Sequence, residues 1–339
     1  MGGCLSRKTG DFHPVKDIQD LTGRVVIVTG GNGGIGYHTI KFLARAGAKV
    51  YLGARSEAKA KAAIAQLKED GIGSGEVVWL KMDFSNARYA KKAAEDFLER
   101  EGRLDILSTS SIFVNNAAQL TGPLEITKDG ISSLAIVNHF STFVFTRTLL
   151  PLLIKTSNEP NSDVRIVTLS SIAHTTARPC DPNIHFREAS DFNHEFANDW
   201  YPDWSRYAIT KLCNLLFANE LQRKLDALNL PNPILSIPIH PGEVNTFADR
   251  TPWPVIAGAV MGVFFMRPEP GSYTSLFAGA SPLVRNFPGK YKGRYLEPVG
   301  WVGEMSENAK REDLAGELWE TTERLLRDMG VEVPVVGEC

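Results

Sequence analysis

Cysteine is scarce in this sequence. Cys4, Cys180, Cys213 and Cys339 lie far apart with no paired spacing, which argues against a disulfide framework and a cysteine-built zinc site. Reduced thiols and a cytoplasmic setting are the expectation. An excess of charge is missing as well: 37 Lys and Arg stand against 39 Asp and Glu, leaving a net charge of -2 with basic and acidic residues interspersed. No footprint for nucleic acid results. Long apolar runs are also absent. Nothing reaches the roughly 18 residues of a membrane span, and the N-terminus lacks the apolar core of a secretory signal. The longest run, WPVIAGAVMGVFFM at 253–266, reads either as a buried or lid helix or as an interfacial segment that admits a greasy substrate.

At 339 residues and 43% hydrophobic, the chain has enough apolar material for a large core. Short β-branched runs alternate with longer amphipathic stretches. Strands are expected at 24–30, 49–55, 76–83, 164–171 and 234–242. Helices are expected at 36–47, closed by Gly47, at 56–70, capped by Ser56, and near 308–329. This alternation predicts an α/β fold with a single doubly wound parallel sheet of Rossmann type, helices on both faces. The expected division is a tail over 1–20, one domain over 21–310 with a substrate lid near 247–275, the C-terminal helix, and a tail over 330–339.

MGGCLSRK opens the chain with the pattern for myristoylation of Gly2, beside Cys4 as a palmitoylation candidate and Arg7 and Lys8 for anionic lipid. Two such signals are what peripheral membrane association requires, although a short motif also arises by chance. The terminal GEC is no prenylation box, because its cysteine is the last residue.

TGGNGGIG (29–36) follows the first strand and opens a helix. In that setting glycines let the backbone turn sharply and approach a pyrophosphate, whose charge the helix N-terminus meets. The spacing Thr29-Gly30-x-x-x-Gly34-x-Gly36 resembles the short-chain dehydrogenase/reductase family, and so do five further segments: YAITK with Tyr207 and Lys211, LSSIAH with Ser171, VNNAA with Asn115, Asn116 and Ala117, VNHFSTFVFT with Asn138, and HPGEVNT with Pro241, Gly242, Val244 and Thr246. VNNAA departs from the family's Asn-Asn-Ala-Gly by carrying Ala118. The resemblance runs from residue 21 to about 325.

It implies an oxidoreductase in which Asn138, Ser171, Tyr207 and Lys211 are catalytic. Tyr207 would transfer the proton, Ser171 would hold the substrate oxygen, and Asn138 would anchor a water that relays protons to Lys211. A phenol titrating near ~10 has to be tuned downward for this work, a task assigned to Lys211 and a positive nicotinamide. His139 and His174 read as neutral surface or supporting residues. The implied cofactor contacts are Thr29, Gly30, Asn32, Gly34, Ile35, Gly36, Arg55, Lys59, Asp83 at the adenine edge, Asn115, Asn116, Ala117, Tyr207, Lys211, Pro241, Gly242, Val244 and Thr246. At the end of the second strand an NAD user presents a carboxylate, whereas this chain has Ala54 and then Arg55. An arginine suits a 2′-phosphate, so NADP(H) is expected over NAD(H).

The 35 residues between Ser171 and Tyr207, together with KLCNLLFANEL, resemble the retinol dehydrogenase and WW-domain oxidoreductase branch, without a WW domain. That implies a lipophilic carbonyl or alcohol as substrate, and a homodimer is compatible with it. A competing reading is a non-catalytic NADP(H)-binding regulator or scaffold at a membrane, which loss of Ser171, Tyr207 or Lys211 would have favoured.

One segment poses a problem of register. In LDILSTSSIFVNNAAQ (104–119) both 104–107 and 112–114 have strand character, and one central strand cannot hold six surplus residues in its interior. The expectation is that the strand begins near Ser111, with 104–110 displaced into the preceding loop.

Overall fold

Each short β-branched run becomes a strand because its side chains pack on both faces of one sheet. The computed structural model describes residues 12–109, 123–242 and 267–337. Eight strands pair in the order β3-β2-β1-β4-β5-β6-β7-β8. They are β1 (Val25–Thr29), β2 (Lys49–Ala54), β3 (Glu76–Lys81), β4 (Ile106–Thr109), β5 (Arg165–Leu169), β6 (Leu235–Ile239), β7 (Leu296–Glu297) and β8 (Trp301–Val302). All the pairings are parallel except β7 with β8. The order reverses at β1, which has β2 on one side and β4 on the other. Chains leaving these strands diverge there and open the crevice in which doubly wound sheets bind ligands.

The helices Ala87–Leu98, Ser141–Ser157 and Pro202–Asp226 cover one face. Helix Glu312–Asp328 packs beyond them, with Trp319 stacked on Phe217 at 5.9 Å between ring centroids. Helices Gly34–Arg45, Glu57–Asp70 and Tyr273–Ala280 cover the other. Ser56 caps its helix as expected, its hydroxyl accepting from the Lys59 N–H. The C-terminal helix starts at Glu312 and not at 308, because Asn308 uses its side-chain amide to hold the carbonyls of Pro179 and Asp181 in a short 3-10 turn.

The register expectation at 104–119 is overturned. Strand β4 is Ile106–Thr109, in register with both β1 and β5. The segment expected to be displaced is anchored where it stands. Asp105 is fully buried and accepts from the Val25 N–H and from the guanidinium groups of Arg24 and Arg103. Ile106 packs on one face of the sheet, while Leu104 and Leu107 pack on the other. Moving 104–110 into a loop would have exposed three large apolar side chains, each worth about 1.5–3 kcal/mol when buried, and stranded a carboxylate. The expected strand at 111–114 lies outside the described residues.

The expected lid over 247–275 is described only from 267 onward. That end is tied to helix Gly34–Arg45: Glu269 faces His38 and Lys41, and Tyr273 meets Phe42 edge-on at 6.0 Å. It belongs to the helical layer. The apolar run 253–266 and the N-terminal Gly2, Cys4, Arg7 and Lys8 lie outside the described residues. Among the described residues no helix is long and apolar enough to cross a membrane.

Candidate active site

The crevice begins where β1 ends. Thr29 is buried, Gly30 takes φ +64°, and the turn passes through Asn32 and Gly33 into helix Gly34–Arg45. A left-handed backbone at Gly30 is open to glycine at little cost. Gly36 answers a different demand: a Cβ there would stand 2.5 Å from the Gly30 carbonyl oxygen, so only a hydrogen lets the helix sit down on the turn. Ile35 is buried beneath it. No side chain caps this helix, which leaves its first N–H groups and the positive end of its dipole for an anion.

Strand β2 closes the adjoining edge. Ala54 is buried at its end, and Trp79 of β3 donates its indole N–H to the Ala54 carbonyl at 3.0 Å. The next residue, Arg55, is exposed, with Lys59 one turn into the following helix. Asp83 stands just past β3, and its carboxylate accepts from the Ser85 N–H at 2.9 Å. A cofactor's phosphates would meet glycine backbone and the helix N-terminus here, and Arg55 stands at the end of β2. The residues present fit a dinucleotide of the NAD(P) type.

The side chains expected to be catalytic converge at the C-terminal end of β5. Ser171 is buried two residues past the strand and caps a 3-10 turn, its hydroxyl oxygen accepting from the Ala173 N–H at 3.2 Å. That leaves the hydroxyl proton free to donate. Helix Pro202–Asp226 carries Tyr207 and Lys211 one turn apart, with Lys211 Nζ 5.3 Å from the Tyr207 ring centroid. Lys211 is fully buried and reaches the Leu169 carbonyl at 3.4 Å, an oxygen that Asn214 also donates to. Asn138 sits in a π turn, Ile136–Phe140, that interrupts the helical ladder. Its amide donates to the Thr210 hydroxyl at 2.9 Å, and that hydroxyl donates to the Tyr207 carbonyl. Thus Asn138 grips the backbone between Tyr207 and Lys211. Thr210 was overlooked in the sequence, where its only signal was a hydroxyl inside the YAITK segment.

Burial pushes the Tyr207 phenol up to about 12 in the chain alone, and the Ser171 side chain pulls only partly the other way. Burial also brings Lys211 down to about 7. The expected downward tuning of Tyr207 requires the positive nicotinamide as well as Lys211.

The histidines are not on the surface. His139 is buried, stacked on Phe192 and bonded to the Thr322 hydroxyl, and burial holds it down at about 3. His174 is also buried and lowered, with Nδ1 2.7 Å from the Ser171 carbonyl oxygen, so it props the turn that presents Ser171. Pro241 and Gly242 follow β6, and Gly242 takes φ +91°. Asn115, Asn116, Ala117, Val244 and Thr246 lie outside the described residues. Among the described residues no cluster suits a metal ion.

This chain is similar to known proteins. The short chain dehydrogenase family pattern matches residues 24–182. A short-chain dehydrogenase/reductase of Armillaria gallica is 44% identical over 327 residues, spanning 95% of this chain and 98% of the relative. Another, from Colletotrichum higginsianum, is 38% identical across 95% of this chain and 79% of its own length. An uncharacterised protein of Mycobacterium paratuberculosis superposes with a TM-score of 0.66 at 25% identity, covering 96% of this chain and 99% of that one. The RhlG/NADP active-site complex of Pseudomonas aeruginosa gives 0.56 at 21% identity, with 85% and 98% covered, a likeness of fold alone.

Proposed function

The chain belongs to the short-chain dehydrogenase/reductase family, NAD(P)-dependent oxidoreductases acting on CH–OH groups, and we propose that it uses NADP(H) to reduce a lipophilic aldehyde or ketone. The observation that carries this reading is the meeting of Ser171 and Tyr207, 36 positions apart in the chain, near enough for the Ser171 side chain to act on the phenol, with Lys211 beside the phenol ring. The glycine turn, the uncapped helix end and Arg55 would hold the cofactor, which supplies the hydride when bound.

The chain's own groups do the rest. As negative charge develops on the substrate oxygen, the Ser171 hydroxyl donates to it and stabilises it. The Tyr207 hydroxyl delivers the proton, and a phenol held at about 12 is in the donating form throughout the physiological range. Lys211, close to half-charged near pH 7, is poised to pass a replacement proton toward the phenol. Support for the apolar substrate comes from the long segment between Ser171 and Tyr207 and its resemblance to the retinol dehydrogenase branch.

Preference for NADP(H) rests on buried Ala54 followed by exposed Arg55. The test is consumption of NADPH and NADH by purified protein over a panel of aldehydes and ketones that includes retinal, repeated with Arg55→Ala. Loss of one charge-assisted contact of roughly 1.5–3 kcal/mol should weaken NADPH about 10- to 100-fold and leave NADH nearly unchanged. Equal losses for both cofactors would end the assignment of Arg55.

A further inference from the structure

A substrate that offers its carbonyl oxygen to Ser171 and Tyr207 must lay the rest of its skeleton across whatever surface flanks those two hydroxyls. Among the described residues that surface is apolar and aromatic. Trp204 lies one turn before Tyr207 on the same helix, its ring centroid 5.4 Å from that of Tyr207 and the planes tilted by 42°. It is 39% exposed, a large apolar side chain open to solvent beside buried Ser171 and partly exposed Tyr207. Ile172, directly after Ser171, is 37% exposed, and Tyr201 at the helix N-cap is exposed as well.

The start of this helix is anchored to the chain before it. Asp199 accepts from the Ser205 hydroxyl at 2.5 Å and from the Arg178 guanidinium, and Arg206 donates to the Glu195 carbonyl at 2.7 Å. These bonds tie the side chains that follow Trp204 to the loop that precedes the helix. A half-exposed indole next to the proton donor has a flat face available for a flat partner, and aromatic pairs of this kind gain beyond simple area burial.

We infer that Trp204 determines specificity at this site, favouring ketones whose carbonyl is fused to a planar aromatic ring system over flexible aliphatic ketones of equal size. This rests on the oxidoreductase reading given above. An aliphatic chain can cover the same apolar surface, but it must surrender rotational freedom to do so and has no ring face to offer. The preference should therefore reside in KM, since stacking on Trp204 acts before and during proton transfer alike.

The experiment measures kcat and KM with NADPH for 1-tetralone and 2-decanone, ten-carbon ketones that differ in planarity, using the full chain as wild type, Trp204→Ala and Trp204→Phe. The expected result is a wild-type preference for 1-tetralone. In Trp204→Ala the ratio of kcat/KM values for the two ketones should fall about 5- to 10-fold, through a weaker KM on the aromatic ketone, and Trp204→Phe should recover most of it. A parallel loss on both ketones, or an unchanged ratio, overturns the role of Trp204. Wild type that prefers 2-decanone overturns it too. Wild type that oxidises NADPH with neither ketone nor any member of the carbonyl panel overturns the oxidoreductase reading itself, a result distinct from turnover without selectivity.

Discussion

The two ends of the crevice are built from different material. Around β1 and β2 the site is mostly backbone: a turn at positive φ, a glycine packed against the carbonyl of another, and a helix end without a cap. Around β5 and helix Pro202–Asp226 it is side chains drawn from segments far apart in the chain, with Asn138, Ser171 and Lys211 buried and Tyr207 partly exposed beside them. Backbone donors bind an anion without changing their own charge. Buried side chains have titrations that depend on their surroundings, so this is where chemistry can be regulated. The first end suits holding a group and the second suits moving a proton.

The sharpest way to separate the two ends is to remove one oxygen. Tyr207→Phe should lower kcat by about 10²–10⁴-fold while leaving the cofactor dissociation constant within about threefold, because the glycine end is untouched. Stopped-flow turnover alongside fluorescence titration of NADPH measures both. Wild-type turnover in this variant would remove Tyr207 from proton transfer.

The next largest effect concerns Lys211 and the pH dependence of stability. Its native value is depressed to about 7 from the ordinary lysine value, so between about pH 7 and pH 10 the unfolded chain binds more protons than the native one. The stability it contributes rises with pH across that window and is lost as pH falls toward 7. The slope is at most about 1.4 kcal/mol per pH unit. Lys211→Met should flatten the curve there in urea unfolding at a series of pH values. An identical slope in both proteins would show that Lys211 titrates normally.

Gly36→Ala probes the backbone end and should have the smallest effect. Its Cβ would meet the Gly30 carbonyl oxygen at 2.5 Å, forcing the helix off the turn at a cost of about 1–3 kcal/mol. Thermal unfolding should shift down by several degrees and NADPH binding should weaken. The catalytic residues retain their places, so kcat at saturating cofactor should change less than twofold. A large fall in kcat would mean that the two ends are mechanically coupled.

What could be read along the chain follows the same division. The glycine turn, Ala54 and Arg55 are contiguous or governed by local backbone rules, so their arrangement was legible from spacing. The one-turn separation of Tyr207 and Lys211 is likewise helix geometry. Thr210 as the partner of Asn138, His174 beneath Ser171 and Trp204 beside Tyr207 were not legible as a site. The first is joined across elements, the second is a local bond within one 3-10 turn that carries no motif, and Trp204 lies on the same helix as Tyr207 but carries no motif either.

The segment 104–119 marks the limit most clearly. Two apolar runs of similar strand character competed for one place in the sheet, and local pattern alone cannot choose between them. The choice fell to Asp105, whose buried carboxylate is held by Arg24, Arg103 and the Val25 N–H, and to the packing of Ile106 and Leu107 on opposite faces. The chain by itself determined the alternation of strand and helix, the glycine turn and the identity of the reactive groups, because these depend on periodicity and on chemistry carried by single residues. The tertiary structure decided which run became β4 and which protons Tyr207 and Lys211 hold, because register and desolvation are set by neighbours that arrive from elsewhere in the fold.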